Sequence, residues 1–124
     1  NPLIRAVRDI VTDVAVEALE PLGPAGFAIN CTPMAPTTRA LADLRRATSL
    51  PIGAYSNTGD WSNETWKRVF GAWTIFDVNP ESYVQHATNW LALGADFVGG
   101  CCGTTPEHIA AMTRRLRPDI EVAA

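Results

Sequence analysis

The stretch Gly99-Gly100-Cys101-Cys102-Gly103-Thr104-Thr105-Pro106-Glu107-His108-Ile109 places two adjacent cysteines within a frame of glycines. It follows a short apolar run at Phe97-Val98 that is typical of a strand. Thr105 followed by Pro106 has the cap-then-proline pattern of a helix start. The stretch therefore predicts a strand, a tight turn that carries both thiols, and a helix.

The third cysteine, Cys31, follows another short apolar run, Phe27–Asn30, which is flanked by glycine and proline. A run of this kind is typical of a buried parallel strand. Because reactive groups of parallel α/β sheets gather at the carboxyl ends of the strands, we expect all three thiols at one edge of a sheet.

The remaining sequence alternates helix and strand patterns. Apolar spacing and end signals predict helices over residues 3–20, from Thr37 or Thr38 to Thr48, from Asn79-Pro80 to Gly94, and from Thr105 to the residue before Pro118. Strands are predicted over Pro51–Tyr55 and Asp96–Gly99. Residues 32–36 and 56–60 read as loops, and residues 61–78 as a long structured loop with one or two helical turns.

This order, one helix followed by three strand-loop-helix units, predicts an α/β fold with a parallel sheet. Three strands cannot close a barrel, and a complete eight-unit barrel needs roughly 250 residues. The chain is therefore either a small open sheet or part of something larger. The side chains predicted to point inward are Ile4, Val7, Val11, Val14 and Ala18; Leu41 and Leu44; Tyr83, Ala87, Trp90 and Leu91; Ile109, Met112 and Leu116.

Composition restricts the possible partners of the 124-residue chain. The formal net charge of −3 argues against nucleic acid and anionic membranes, because both need a surplus of Lys and Arg. No apolar run approaches the ~20 residues of a membrane helix, and no signal segment is seen, so a cytoplasmic location is expected. Three cysteines, an odd number, fit a reducing compartment and thiol or metal chemistry.

Three thiolates and one open position are a known arrangement for catalytic zinc. Adjacent strand residues point to opposite faces, but the glycines around Cys101 and Cys102 permit a backbone that turns both sulfurs to one point. A zinc with three thiolates is well suited to hold an incoming thiol as its reactive thiolate. Alkyl transfer to a substrate sulfur is therefore favoured over hydrolysis, for which no evident general base stands beside the cysteines.

Other interpretations of these residues remain open at this point. Cys31 alone could be a small buried apolar residue, and the Cys101–Cys102 pair could form a vicinal disulfide with a redox role. His86 and His108 lie on predicted helices, where solvent exposure or packing is the expected role. The four tryptophans are expected to pack rather than to form a substrate cage.

The same residues resemble a known family. The stretch Gly99 to Ile109 looks like the C-terminal signature of the homocysteine S-methyltransferases. Ala28-Ile29-Asn30-Cys31-Thr32 resembles that family's Gly-x-Asn-Cys element, and Tyr55-Ser56-Asn57-Thr58-Gly59-Asp60 is similar to its Tyr-Pro-Asn-x-Gly-Glu segment. Ala28, Ser56 and Asp60 are the departures, standing where the family has glycine, proline and glutamate.

The resemblance implies the C-terminal portion of a (β/α)8 barrel, with residues 1–124 as a single partial domain that supplies strands six to eight. It implies Cys31, Cys101 and Cys102 as zinc ligands, Asn57 near the substrate sulfur, and methyl transfer to homocysteine that gives methionine. The methyl donor stays open among S-methylmethionine, betaine and methylcobalamin- or folate-linked donors.

The family's Asp-Gly-Gly-type first strand and the early strands that hold the substrate's amino acid end are not found in this sequence. The chain is therefore expected to be inactive alone, and to self-associate or to need the missing N-terminal half of the barrel. Two alternatives to the enzyme are a metal-binding fragment without catalysis and a vicinal-dithiol redox protein.

Overall fold

Helices and strands alternate in the computed structural model, which describes residues 12–58 and 78–122. Residues 12–19 are helical (α1) and end in a 3-10 turn at Glu20–Leu22. The later elements are β1 (Phe27–Pro33), α2 (Met34–Ala47), β2 (Ile52–Asn57), α3 (Pro80–Ala92), β3 (Phe97–Gly100) and α4 (Pro106–Leu116). The predicted start of the first helix and nearly all of the loop predicted over residues 61–78 lie outside the described residues.

The three strands form one parallel sheet in the order β1-β2-β3. Phe27 pairs with Ile52 at the start of the first ladder, and Gly53 pairs with Phe97 at the start of the second. The α/β fold with three parallel strands and flanking helices is therefore confirmed. Because every strand runs in the same direction, all three carboxyl ends lie at one edge.

The core lies between this sheet and the helices. Its buried apolar side chains are Val16, Leu41, Leu44, Ile52, Ala54, Tyr83, Val84, Ala87, Trp90, Ala95 and Met112. The inward faces predicted for α2 and α3 are confirmed, since Leu41, Tyr83, Ala87 and Trp90 have no exposed surface. The indole N–H of Trp90 donates to Thr38 Oγ1 at 2.8 Å and so ties α3 to α2.

The opposite edge of the sheet, where the strands begin, is fixed by charged side chains. The Arg45 guanidinium donates to the carbonyls of Thr48 (2.6 Å), Leu50 (3.0 Å) and Gly94 (3.3 Å). Asp96 Oδ2 accepts from the Ile52 N–H at 3.0 Å. These bonds hold the turns that lead into β2 and β3.

The predicted boundary between β1 and α2 is wrong. β1 continues through Cys31 to Pro33, and α2 begins at Met34 rather than at Thr37 or Thr38. Pro36 is accommodated because the first turn of a helix needs no internal N–H bond. The Thr37 hydroxyl donates back to the Thr32 carbonyl at 3.0 Å, so this threonine joins the helix to the strand instead of capping the helix.

Three predicted inward positions are also wrong. Val14 is 57% exposed and Ala18 is exposed, because α1 contacts the core through Val16 instead. Ile109 is 44% exposed on α4, where His108 and Met112 are the buried side chains. On α1 the buried side is opposite the predicted stripe, because Val16 lies two residues, about 200°, around the helix from Val14. On α4 the apolar stripe is correct but its Ile109 edge is left uncovered.

None of the helices within residues 12–58 and 78–122 is long and apolar enough to cross a membrane.

Candidate metal centre

The structure brings the three cysteines together at the carboxyl edge of the sheet. Cys31 lies in β1, and Cys101 and Cys102 follow the last residue of β3. All three sulfurs lie within 4.8 Å of one another, and the Sγ atoms of Cys31 and Cys102 are 3.4 Å apart. All three are free thiols.

Cys31 owes its orientation to an unusual backbone conformation. Its φ is +47°, in the left-handed region, and the register of β1 against β2 shifts between Asn30 and Pro33. A residue with a Cβ atom adopts this conformation at a cost of about 1–2 kcal/mol. The sequence gives no sign of this irregularity, because the usual marker of a left-handed residue is glycine or asparagine.

Asn57 holds the strained residue in place. It is fully buried, and its Nδ2 donates to the Cys31 carbonyl at 2.6 Å and lies 4.0 Å from Cys31 Sγ. The structure thus places the amide of Asn57 beside the thiols.

The turn after β3 directs two adjacent thiols toward Cys31. Thr104 donates to the Cys101 carbonyl from its N–H (3.1 Å) and from its hydroxyl (2.6 Å), and Gly103 has φ +80°. A Cβ at Gly100 would lie 2.2 Å from Thr104 Oγ1. Glycine is therefore needed at Gly103 for its left-handed backbone and at Gly100 for the close packing of Thr104.

This turn is also tied to β2. The Cys101 N–H donates to the Ser56 carbonyl at 3.0 Å, and the Thr58 N–H donates to the Cys102 carbonyl at 3.0 Å. The backbone on both sides of the vicinal pair is therefore fixed relative to the strand between the two cysteine segments.

The thiols differ in acidity within the cluster. A hydrogen bond from Cys101 lowers the pKa of the Cys31 thiol below its ordinary value. The same bond, together with burial, raises the pKa of Cys101 to about 11. Cys31 is therefore the first of this pair to become a thiolate when no metal is bound.

The arrangement fits a tetrahedral metal ion. Thiolates 2.3 Å from a shared tetrahedral centre lie about 3.8 Å from one another. The observed 3.4 Å between Cys31 Sγ and Cys102 Sγ is close to that value, and no pair of the three sulfurs is more than 4.8 Å apart. Three soft sulfur ligands favour zinc among common divalent ions.

Neither histidine lies in the cluster of possible ligands found among the described residues. His108 Nδ1 accepts from the Thr105 N–H at 3.1 Å, and Nε2 donates to the Val78 carbonyl at 2.6 Å. His108 thus stabilises the start of α4, where Thr105 is the predicted N-cap. His86 packs near the ring of Trp90, with the ring centroids 6.2 Å apart.

The sequence analysis missed a polar role for Tyr83, which it placed in the apolar core. The Tyr83 hydroxyl is buried and lies within hydrogen-bond distance of Ser56 and Gly99, behind the thiols. Burial raises its pKa well above the ordinary value, and negative charge on Cys101 and Cys31 adds to the effect. An apolar spacing pattern cannot show what the far end of an inward tyrosine contacts.

The fold and the site together define an α/β protein with three thiols that could hold a metal ion at the carboxyl edge of a parallel sheet. The sequence pattern of the family described as "Homocysteine S-methyltransferase" matches residues 7–116. The chain therefore belongs to the homocysteine S-methyltransferase family.

Individual relatives agree with this assignment. A homocysteine S-methyltransferase of Bacillus subtilis is 37% identical over 99 residues, which cover 75% of this chain and 29% of that protein. A homocysteine S-methyltransferase of Escherichia coli is 37% identical over 87 residues, which cover 70% of this chain and 27% of that protein. A selenocysteine Se-methyltransferase of Brassica oleracea is 34% identical over 91 residues, covering 71% and 25%.

The matched segment spans less than a third of the length of each of these relatives. No solved structure matches the chain significantly.

Proposed function

We propose that this chain is the C-terminal part of a zinc-dependent enzyme that transfers a methyl group to the thiol of homocysteine and so forms methionine. Cys31, Cys101 and Cys102 hold the zinc. The single observation that carries the proposal is the convergence of these three sulfurs, from two strands, within 4.8 Å of one another. Membership of the family supports the reaction class.

Bound zinc would keep the substrate sulfur in its thiolate form, which is the nucleophile. The residues of this chain supply the ligands and fix their positions. Asn57 holds the backbone of Cys31 by donating to the Cys31 carbonyl, and its Nδ2 lies 4.0 Å from Cys31 Sγ. In the proposed site this amide would lie near the substrate sulfur. A neutral amide can donate to a thiolate without adding a competing negative charge.

The proposal places residues 1–124 in a (β/α)8 barrel whose other strands bind the substrate's amino acid end. The outer edges of β1 and β3 have no strand partner within the described part of the chain. Those edges would pair with neighbouring strands of a complete barrel, or with another copy of the chain. The isolated chain is therefore expected to bind zinc but to show little or no methyl transfer.

A selenol is a second candidate acceptor. One relative is named for methyl transfer to selenocysteine, and a three-thiolate zinc suits a soft selenolate as well as a thiolate. The acceptor could therefore be a selenol amino acid, with the same three cysteines in the same role.

Metal content and methyl transfer test the proposal. The chain purified without chelator should contain about one zinc per chain, which the Cys102→Ser variant should lose. Methyl transfer should be assayed with homocysteine and with selenocysteine, in the chain alone and in a complete barrel that carries these residues. Absence of zinc from the wild-type chain, or a Cys102→Ser barrel that keeps both metal and activity, would refute it.

Thiol labelling tests the redox alternative. If Cys101 and Cys102 resist alkylation until a reductant is added, a vicinal disulfide is favoured over the metal centre. Labelling that needs only a chelator favours the metal centre.

A further inference from the structure

A chain of hydrogen bonds runs behind the three thiols through Ser56 at the end of β2. Ser56 is fully buried, and its hydroxyl donates to the carbonyl of Thr32, the residue after Cys31. Its backbone N–H donates to the Tyr83 hydroxyl at 3.2 Å. One residue therefore contacts both the Cys31 segment and helix α3.

Tyr83 continues this chain to β3. Its hydroxyl donates to the Gly99 carbonyl at 2.9 Å, two residues before Cys101. The ring has no exposed surface and packs edge-on against Trp90 and His108, with both centroid distances 5.7 Å. The hydroxyl is consequently held at a fixed point between β2 and β3.

Thr32, Ser56, Tyr83 and Gly99 thus form a continuous hydrogen-bonded path, the Ser56–Tyr83 brace. Its two ends attach to backbone carbonyls within two residues of a thiol. Because backbone carbonyls move with the peptide units that carry Cys31 and Cys101, the length of this path restricts how far the two cysteine segments can separate.

The brace depends on the residue at position 56. The related Tyr-Pro-Asn pattern has proline there, and proline has neither a hydroxyl nor a backbone N–H. Both bonds that Ser56 donates would be absent. The brace is therefore a property of this sequence rather than of the general motif.

We infer that the Ser56–Tyr83 brace sets the separation of Cys31 from the Cys101–Cys102 pair, and that Ser56 and Tyr83 are positioning residues of the metal centre. The inference rests on the proposed zinc site. Neither side chain is a ligand. Both act on the sulfurs through the backbone that carries them.

Tyr83→Phe and Ser56→Ala test the brace, because each removes one hydroxyl and leaves the surrounding apolar contacts. Loss of groups that orient metal ligands typically weakens metal affinity by about 10–100-fold. We expect each variant to weaken zinc affinity about 10-fold, measured by competition with a chromophoric chelator. The fold-loss of zinc affinity in the double variant should be smaller than the product of the two single losses, since either change breaks the same path.

Thr38→Val is the matched control. It removes a half-buried hydroxyl that contacts helix α3, through Trp90, but not the thiols. It should lower the melting temperature by an amount similar to Tyr83→Phe and leave zinc affinity within about twofold of wild type. Zinc affinity that follows the melting temperature across all variants would overturn the inference.

A metal-free measurement separates this inference from the proposed function. Phenylarsine oxide bridges two closely spaced thiols with release of water. In a Cys101→Ser background, which leaves the thiols of Cys31 and Cys102, its affinity reports the separation of Cys31 from the turn after β3 without zinc. Both brace variants should bind it more weakly than wild type and Thr38→Val. If wild type binds no zinc, the proposed function fails, but the affinity for phenylarsine oxide still tests whether the brace positions the thiols. Unchanged arsenical binding in both brace variants overturns the brace.

Discussion

The two edges of the sheet are fixed by different means. At the amino edge, Arg45 donates to three backbone carbonyls and Asp96 accepts from the first residue of β2. At the carboxyl edge, neutral hydroxyls and an amide, from Ser56, Tyr83 and Asn57, contact the cysteine segments.

The strain is distributed unequally as well. Cys31 is the only residue other than glycine with positive φ in the described chain, and it lies at the carboxyl edge. Charged bonds stabilise the amino edge, which carries no thiols. The carboxyl edge instead holds three thiols close together, at the energetic cost of the strained backbone at Cys31. This division agrees with the pattern of TIM barrels, in which the amino end of the strands serves stability and the carboxyl end carries the functional site.

The largest expected effect is on metal affinity at the carboxyl edge. Cys102→Ser removes one of three sulfurs, so zinc affinity should fall by at least about 100-fold. Cys102 is exposed, and serine has nearly the same size, so the metal-free protein should melt within a few degrees of wild type. Chelator competition and thermal unfolding in EDTA measure the two quantities. Unchanged zinc affinity would exclude Cys102 as a ligand.

The reverse pattern is expected at the amino edge. Arg45→Met leaves three carbonyls without their donor and should lower the free energy of unfolding by about 2 kcal/mol. The ion pair with Asp96 contributes little of this, because it is 3.8 Å long and partly exposed. Zinc affinity should stay within about twofold. Arg39→Met, an exposed position on the same helix, is the control and should change neither quantity. A large loss of zinc affinity in Arg45→Met would show that the two edges are coupled.

Much of the fold could be predicted from the sequence because its signals are local. Breakers flank each short apolar run, and the inward residues of α3, such as Tyr83 and Trp90, follow helical spacing. The meeting of Cys31 with Cys101 and Cys102 also follows from sequence order, since parallel strands share a carboxyl edge.

The remaining features depend on contacts between distant residues. The left-handed backbone of Cys31 could not be predicted from local preference, because cysteine rarely adopts it. It is held by Asn57, 26 residues away. The start of α2 at Met34 has no side-chain cap, and the bond from the Thr37 hydroxyl to the Thr32 carbonyl instead joins its first turn to β1. The polar contacts of Tyr83 are made by its hydroxyl, whose partners Ser56 and Gly99 are distant in sequence. Tertiary contacts, rather than propensity, determine all three.

A smaller effect is expected on stability at alkaline pH, where Tyr83 at the carboxyl edge should make the free energy of unfolding depend on pH. The folded protein raises the pKa of Tyr83, whereas the unfolded chain ionises near 10. The stability that depends on neutral Tyr83 is therefore present below pH 10 and is lost as pH rises above it, by about 1.4 kcal/mol per pH unit. Tyr83→Phe should be less stable at pH 7 but show a flatter decline above pH 10. A Tyr83→Phe protein whose stability declines above pH 10 as steeply as that of wild type would contradict this expectation.

The smallest expected effect is a difference in thiol reactivity within the carboxyl edge. In the metal-free protein at pH 8, iodoacetamide should modify Cys31 about 10-fold faster than Cys101, because the thiolate is the reactive form. Both residues are half-buried, so accessibility does not favour either one. As pH rises toward 11, Cys101 loses its proton and the ratio should approach one.

Fragment spectra of the labelled peptides would locate the modification, which is necessary because Cys101 and Cys102 are adjacent. Labelling in guanidinium provides the control, since both residues should then react at similar rates. Faster reaction of Cys101 at pH 8 would mean that the proton between the two sulfurs resides on Cys31. The hydrogen bond within the cluster would then have the opposite direction, and Cys101 would be the first thiolate available to a metal.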